Sequence, residues 1–209
     1  MRKIRFLPLL LFVFLFSSAS LRAQDKFEIF GGYSYVRDPV QVFTPIGIAG
    51  PVIVIPPGTC PITGCPPGVG SFSTVHVNTH GWEFSGNYKL IPWLGAVADF
   101  SGNYGSTHGS NLHLNTYLFG PQVSFPARVS PFAHVLLGAA HESLSNPGVT
   151  GISNLGTNTA FATAVGAGID VKVIPFVFVR LIQFDYLLTR FGSQTQNQPR
   201  VSAGVVLHF

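Results

Sequence analysis

The stretch Arg200-Val-Ser-Ala-Gly-Val-Val-Leu-His-Phe209 decides how the chain is to be read. Successive side chains of a strand point to opposite faces. Val201, Ala203, Val205, Leu207 and Phe209 then share one face, and Ser202, Gly204, Val206 and His208 the other. An apolar face ending in an aromatic residue, backed by small and polar residues, suits a strand with lipid on one side and a crowded interior on the other. Such a strand cannot stand alone in lipid, because its backbone groups would be unpaired. Other segments must complete a closed sheet.

Turn signals divide residues 24–209 into eight segments of strand character, roughly 27–37, 75–90, 93–103, 111–125, 131–143, 159–173, 176–188 and 200–209. Ile91-Pro92, Pro126 to Ser130 and Ile174-Pro175 are tight connections. The intervening ones, 38–74, Tyr104 to Ser110, Leu144 to Asn158 and Thr189 to Pro199, are longer. Strict alternation of long and short predicts an all-β fold, an eight-stranded antiparallel up-and-down transmembrane barrel with short periplasmic turns and long external loops.

The faces of the other segments follow the same rule. In 159–173, Phe161, Thr163, Val165, Ala167, Ile169 and Val171 alternate with Ala162, Ala164, Gly166, Gly168, Asp170 and Lys172. In 75–90, Trp82, Phe84 and Tyr88 oppose Glu83, Ser85, Asn87 and Lys89. Tyr117, Phe119 and Val123 are expected outward in 111–125. A Lys or Arg against lipid at the midplane costs about 2–4 kcal/mol, so the polar faces must line the lumen. The expected lumen network is Glu28, Glu83, Lys89, Asp99, Asp170, Lys172 and Asp185. In 176–188, Phe178, Ile182, Phe184 and Tyr186 are expected outward and Gln183 and Asp185 inward. The same phase sets Arg180 against lipid, where it must snorkel or be turned inward by a bulge. Trp93, Phe132, Phe176 and Phe209 are expected as an aromatic girdle at the periplasmic ends, and Tyr35, Phe100, Tyr104, Phe161 and Tyr186 toward the external ends.

The beginning of the chain reads as a secretory signal. Arg2, Lys3 and Arg5 precede the apolar run Leu7 to Phe16, and the small-residue tail Ser17-Ser-Ala-Ser-Leu-Arg-Ala23 follows. A membrane helix needs roughly twenty apolar residues, and this run is half that. Residues 1–23 are therefore expected to be removed near Ala23–Gln24, leaving 24–209 as a single barrel domain. No cysteine follows the run, so it is not a lipoprotein signal. Four of the twelve Lys and Arg residues (Arg2, Lys3, Arg5 and Arg22) lie in it, which leaves eight basic against eight acidic residues. The whole-chain pI of 9.3 is then no sign of a nucleic-acid partner. Only 10% of residues are charged and mean hydropathy is +0.38, whereas soluble domains carry about 25% charged residues. No run of 18 apolar residues occurs after the signal, so strands rather than helices must cross the membrane.

The segments Phe27-Glu-Ile-Phe-Gly-Gly-Tyr-Ser-Tyr-Val-Arg37, Leu94-Gly-Ala-Val-Ala-Asp-Phe-Ser-Gly-Asn103 and Tyr117-Leu-Phe-Gly-Pro121, with the closing strand, resemble the small porin-like outer-membrane barrels of the broad OmpA-type transmembrane-domain family. The resemblance implies an integral barrel of the Gram-negative outer membrane, set in lipid and lipopolysaccharide, with no assigned reaction. It implies that terminal Phe209 is the signal read by the barrel-assembly machinery. Because the chain ends at Phe209, the periplasmic peptidoglycan-binding domain of some relatives is expected to be absent.

Signatures of catalysis are sparse. His141-Glu142-Ser143-Leu144-Ser145 begins like a zinc-protease motif but lacks its second histidine. Gly166-Ala-Gly168 is a small-residue strand face with no helix after it, and no nucleophile elbow occurs. No catalytic residue, enzyme activity or cofactor is expected. Cys60 and Cys65, in Cys-Pro-Ile-Thr-Gly-Cys, are expected to form a local disulfide after export. His76, His80, His108, His113 and His141 fall near external strand ends, where they are weak candidates for a transition metal or, protonated, for lipid phosphate. Loop 38–74, with Phe43, Ile46, Ile48 and Val52-Ile-Val-Ile55, is the candidate contact for a surface ligand. The function expected is structural or surface-interacting. The alternatives are a low-conductance porin for ions or small solutes, and a soluble secreted lipocalin-like barrel with charges outside and an apolar pocket inside.

Overall fold

The computed structural model describes residues 26–45, 53–55, 70–107, 110–145, 156–191 and 194–209. The signal segment, the Cys60–Cys65 pair and His108 lie outside them. The strands are β1 (Phe27–Pro45), β2 (Ile53–Ile55), β3 (Gly70–Ile91), β4 (Leu94–Thr107), β5 (Ser110–Ser124), β6 (Val129–Ser145), β7 (Gly156–Ile174), β8 (Val177–Phe191) and β9 (Gln194–His208). Eight of them, all but β2, pair antiparallel in chain order, and β1 closes on β9 from Glu28↔His208 to Val36↔Arg200. The fold is the expected closed all-β barrel. Turns at Pro92-Trp93, Phe125 to Arg128 and Pro175-Phe176 join the strands at one end. Each contains a proline, which has no N–H to give to a ladder and ends a strand there.

The strands run further than the turn signals suggest at the other end. The β1–β3 ladder continues through the segment 38–74 to Pro45↔Gly70, and β2 adds to its free edge at Gln41↔Ile55. The connection Tyr104 to Ser110 is likewise mostly strand, since β4 reaches Thr107 and β5 starts at Ser110. Above the bilayer the outer face meets water, so polar outward residues do not end a strand. Pro39 and Pro199 act instead at the seam. The β1–β9 ladder stops at Val36↔Arg200, next to Pro199 and three residues before Pro39, and the side-chain amides of Gln196 and Gln198 bridge to Pro39 O and Asp38 at 3.1 and 2.7 Å.

The surface is inverted relative to a soluble protein. Tyr33, Trp82, Phe84, Tyr88, Tyr117, Phe119, Val135, Leu137, Phe161, Val165, Ile182, Phe184 and Val205 are exposed on the outer wall. Every carboxylate among the described residues is buried inside. The soluble lipocalin-like alternative requires the opposite and fails. On β1 the outer apolar band runs from Phe27 to Tyr35, and on β6 from Val129 to Leu137. Beyond it the outer wall carries Arg37, His76, Asn78, Ser106, Asn111 and His113, so this part of the barrel rises out of the bilayer.

Two expectations fail for local reasons. Register shifts between Ile169 and Asp170 and between Arg180 and Gln183 mark a bulge that leaves Leu181 and Ile182 both outward. The bulge reverses the phase below it, so Arg180 and Phe178 both face the lumen. Phe132, expected in the girdle, is also inside, beneath the Arg180 guanidinium. Trp93, Phe176 and Phe209 do lie exposed at the short-turn end.

Candidate functional site

The lumen is built from inward residues of all eight barrel strands, and it is layered. Nearest the short turns, the Lys89 ammonium pairs with Glu28 at 2.5 Å, and Asn87 donates to the same carboxylate at 2.7 Å. Phe178 stacks on His208 with ring centroids 3.8 Å apart, and the Lys172 ammonium sits 5.7 Å from the Phe178 ring. Arg180 makes a two-pronged contact with Asp170 at 2.8 and 3.0 Å. Its guanidinium lies between the Phe30 and Phe132 rings, 4.3 and 4.1 Å from their centroids. A planar, weakly hydrated cation is suited to that sandwich.

The middle layer centres on Arg200. Its guanidinium meets Asp185 at 2.7 Å, Asp99 at 3.0 Å and Glu83 at 3.5 Å. Gln183 donates to Glu83 at 2.8 Å and to Asp185 at 2.7 Å, Ser202 donates to Glu83, and the His134 ring meets Asp185 at 2.7 Å. One cation thus faces three carboxylates, and amide, hydroxyl and imidazole groups add further bonds to two of them, Glu83 and Asp185. The Asp185 and His134 side chains occupy the space that a Cβ would need at Gly166, and the Phe132 ring does so at Gly168. The small-residue face of β7 therefore makes room for the network.

Beside and above this layer, Val36, Val97, Leu114, Leu118, Leu136 and Leu187 belong to one buried apolar cluster. Val40, Val77, Leu112 and Leu144 form another, nearer the long-loop end. On β1 and β6 a single carboxyl lies between the two clusters, Asp38 and Glu142 respectively. Gln198 donates to Asp38 at 2.7 Å, but Asp38 Oδ2 and both oxygens of Glu142 have no hydrogen-bond partner among the described residues. Both groups lie beyond the apolar band. Burial pushes the Asp38 pKa up to about 7 despite the Gln198 bond. Burial, and then the nearby Asp38 charge, push Glu142 up to about 8.

All seven expected network residues face the lumen, but they do not form one network. Glu83, Asp99 and Asp185 meet around Arg200, while Glu28 and Lys89 pair separately near the short turns. Asp170 is held by Arg180, and Lys172 stands beside Phe178. Sequence reading missed Arg200, His134, Asp38 and Glu142. Arg200 and Glu142 were visible as inward positions of their strands, two residues from Ser202 and Ala140.

The four described histidines of the candidate metal set lie on the outer wall. His76, His80 and His113 are exposed, and His141 contacts the Thr159 hydroxyl at 2.8 Å. No group of three or more His, Cys, Asp or Glu side chains able to hold a metal occurs among the described residues. His141 and Glu142 point to opposite sides of the wall, so they cannot act as neighbours in a zinc-protease pair. Asn78, His80, Tyr104, Ser106, Asn111 and His113 line a shallow groove of about 520 Å³ just above the band. Tyr35 donates to Asn78 Oδ1 at 2.9 Å, the Tyr33 hydroxyl meets His80 Nδ1, and Tyr104 and His113 pack edge to face at 5.0 Å.

No family model matches the chain, and no curated protein matches it. Solved structures do. Neisserial surface protein A is 14% identical, covering 88% of this chain and 97% of its own, with a TM-score of 0.57. Ail, the attachment invasion locus protein of Yersinia pestis, is 12% identical over 86% of this chain and 98% of its own, with a TM-score of 0.45. OprG from Pseudomonas aeruginosa is 10% identical over 88% of this chain and 95% of its own, with a TM-score of 0.46. The first likeness shows the fold, that of a small outer-membrane barrel. Fold and inverted surface together make the chain an integral, multi-pass barrel of the outer-membrane type.

Proposed function

We propose that this protein serves a Gram-negative outer membrane as a closed barrel with a structural or surface-interaction role and no catalytic step. Its short turns face the periplasm, and its tall β1–β3 hairpin with the rest of segment 38–74 carries the external contacts. One observation supports this above the others: Arg200, Leu114, Leu118, Leu136 and Leu187 are 0% exposed, so side chains close around them in the middle of the lumen. An eight-stranded barrel is narrow enough for side chains to fill it in this way. Planar-bilayer recordings test it. Insertion without discrete conductance steps is expected, and stable steps would favour the porin.

The porin remains the second reading because the inward positions of β9 form a polar line, Gln196, Gln198, Arg200 and Ser202, past the apolar clusters. If that line conducts, Lys89→Met or Lys172→Met changes the step size. The same proposal includes loss of residues 1–23, a Cys60–Cys65 disulfide, and recognition of Phe209 by the assembly machinery. Intact mass before and after reduction checks the first two. Phe209→Ala should lower assembly in cells while leaving detergent refolding unchanged.

A further inference from the structure

All seven carboxylates of the described residues face the lumen, while Lys26, Arg37, Arg128 and Arg190 are exposed outside. The described outer wall therefore carries cations and neutral donors but no acid. Above the apolar band this bias coincides with a built groove. Arg37 stands beside Asn78 in the β1–β3 ladder, and both point outward. The Tyr35 hydroxyl fills the acceptor side of Asn78, which leaves its amide N–H groups to donate. With the Tyr33 hydroxyl donating to His80 Nδ1, the ring proton is assigned to Nε2, again a donor. Tyr104, Ser106, Asn111 and His113 add further donors around the same groove. Immediately below are Tyr33, Trp82 and Tyr117, the apolar wall that acyl chains cover.

We propose that this groove, between β3, β4 and β5 with Arg37 at its edge, binds the phosphorylated headgroup of an outer-leaflet lipid. The proposal rests on the outer-membrane reading above. A phosphate presents only acceptor oxygens and negative charge. Clustered donors, a guanidinium and the absence of any repelling carboxylate are the chemistry that recognises it. The position fixes the source as a lipid rather than a free ion, because the phosphate of an anchored lipid lies at this height while its chains lie on the band.

The test uses the mature protein refolded in detergent, with native mass spectrometry counting retained lipid. Bisphosphorylated lipid A, its dephosphorylated form and inorganic phosphate are the probes. Wild type should hold bisphosphorylated lipid A at least about tenfold more tightly than the dephosphorylated form, since two or more charge-assisted bonds are lost with the phosphates. Combining Arg37→Gln, His80→Ala and His113→Ala should remove that preference. Lys26→Gln with Arg128→Gln, at the opposite end, should keep it. These positions are exposed, and heat-modifiable gel mobility verifies that each variant is folded. Equal binding of the two lipids, or a preference that survives the triple substitution, overturns the proposal. So does inorganic phosphate that displaces the lipid at equal concentration. Failure of the wild type to need detergent, or to enter vesicles, would instead overturn the outer-membrane reading on which it rests.

Discussion

Two buried polar layers of the same lumen handle charge in opposite ways. Around Arg200, a guanidinium meets three carboxylates at 2.7 to 3.5 Å. Around Asp38 and Glu142, higher in the barrel, no cation is placed against either carboxyl among the described residues, and only Gln198 donates. The lower layer lies within the bilayer, and one guanidinium with its hydrogen-bonded neighbours ties three carboxyl groups together across five strands, β3, β4, β6, β8 and β9. The upper layer rises above the apolar band, and burial pushes the pKa values of its carboxyls up, to about 7 for Asp38 and about 8 for Glu142. One layer is a permanent scaffold, and the other is a pair of groups that pH can reach.

The sharpest way to break this contrast is Arg200→Met. Removing one partner of a buried ionic cluster costs about 3–5 kcal/mol, because the remaining charges stay buried. The urea midpoint of the refolded barrel should fall accordingly. Adding Glu83→Gln, Asp99→Asn and Asp185→Asn should recover most of the loss. A small cost for the single substitution would mean that the lower layer is not a scaffold.

Glu142→Gln should do the reverse. A carboxyl whose folded pKa lies above its unfolded value keeps its proton better when folded. Its stability contribution is complete below the unfolded pKa and lost as pH rises through the folded one. For Glu142 that window runs from 4.5 to about 8, and for Asp38 from 3.8 to about 7. Wild type should therefore lose stability between about pH 4 and pH 8. Glu142→Gln should be more stable than wild type at pH 9, by on the order of 2–4 kcal/mol, and nearly unchanged at pH 4. Equal urea midpoints at both pH values would show that burial does not hold this carboxyl neutral.

Smaller effects sharpen the picture. Gly166→Ala places a methyl group where Asp185 and His134 meet, and overpacking of this kind costs about 1–3 kcal/mol. An unchanged midpoint would mean that the network can shift aside. Lys89→Met, nearer the short-turn rim, should cost less than Arg200→Met, on the order of 1–2 kcal/mol, since Asn87 still donates to the Glu28 carboxylate left behind.

The binary pattern carried most of the fold. Alternation at Trp82 to Lys89 and at Phe161 to Lys172 sorted lipid from lumen, because a period of two leaves few options when one side is hydrocarbon. It failed where the period breaks. The charge of Arg180 on the lipid face pointed to a bulge, but an unbroken alternation still placed Phe178 outside, because only the register of the neighbouring strands shows that the phase stays reversed below Arg180. Phe132 was misplaced because an aromatic residue suits an interface and a cation sandwich equally, and only the position of Arg180 distinguishes them. The tall β1–β3 hairpin was hidden by Pro39, which reads as a loop but here lies on the seam that β9 leaves unpaired. The Arg200 cluster joins residues about 100 positions apart, a separation that turn signals and face assignment do not encode.

The direction in which the side chains of β7 point is the most direct test of the whole account. Nitroxide labels are placed singly at Phe161, Val165 and Ile169, converted to cysteine in a background of Cys60→Ser and Cys65→Ser, and the barrel is refolded in bilayers. Collision with molecular oxygen should exceed collision with a water-soluble nickel chelate at all three sites, most strongly at 165. A nickel excess at Val165 would mean that this wall faces water, and the inverted barrel would be wrong.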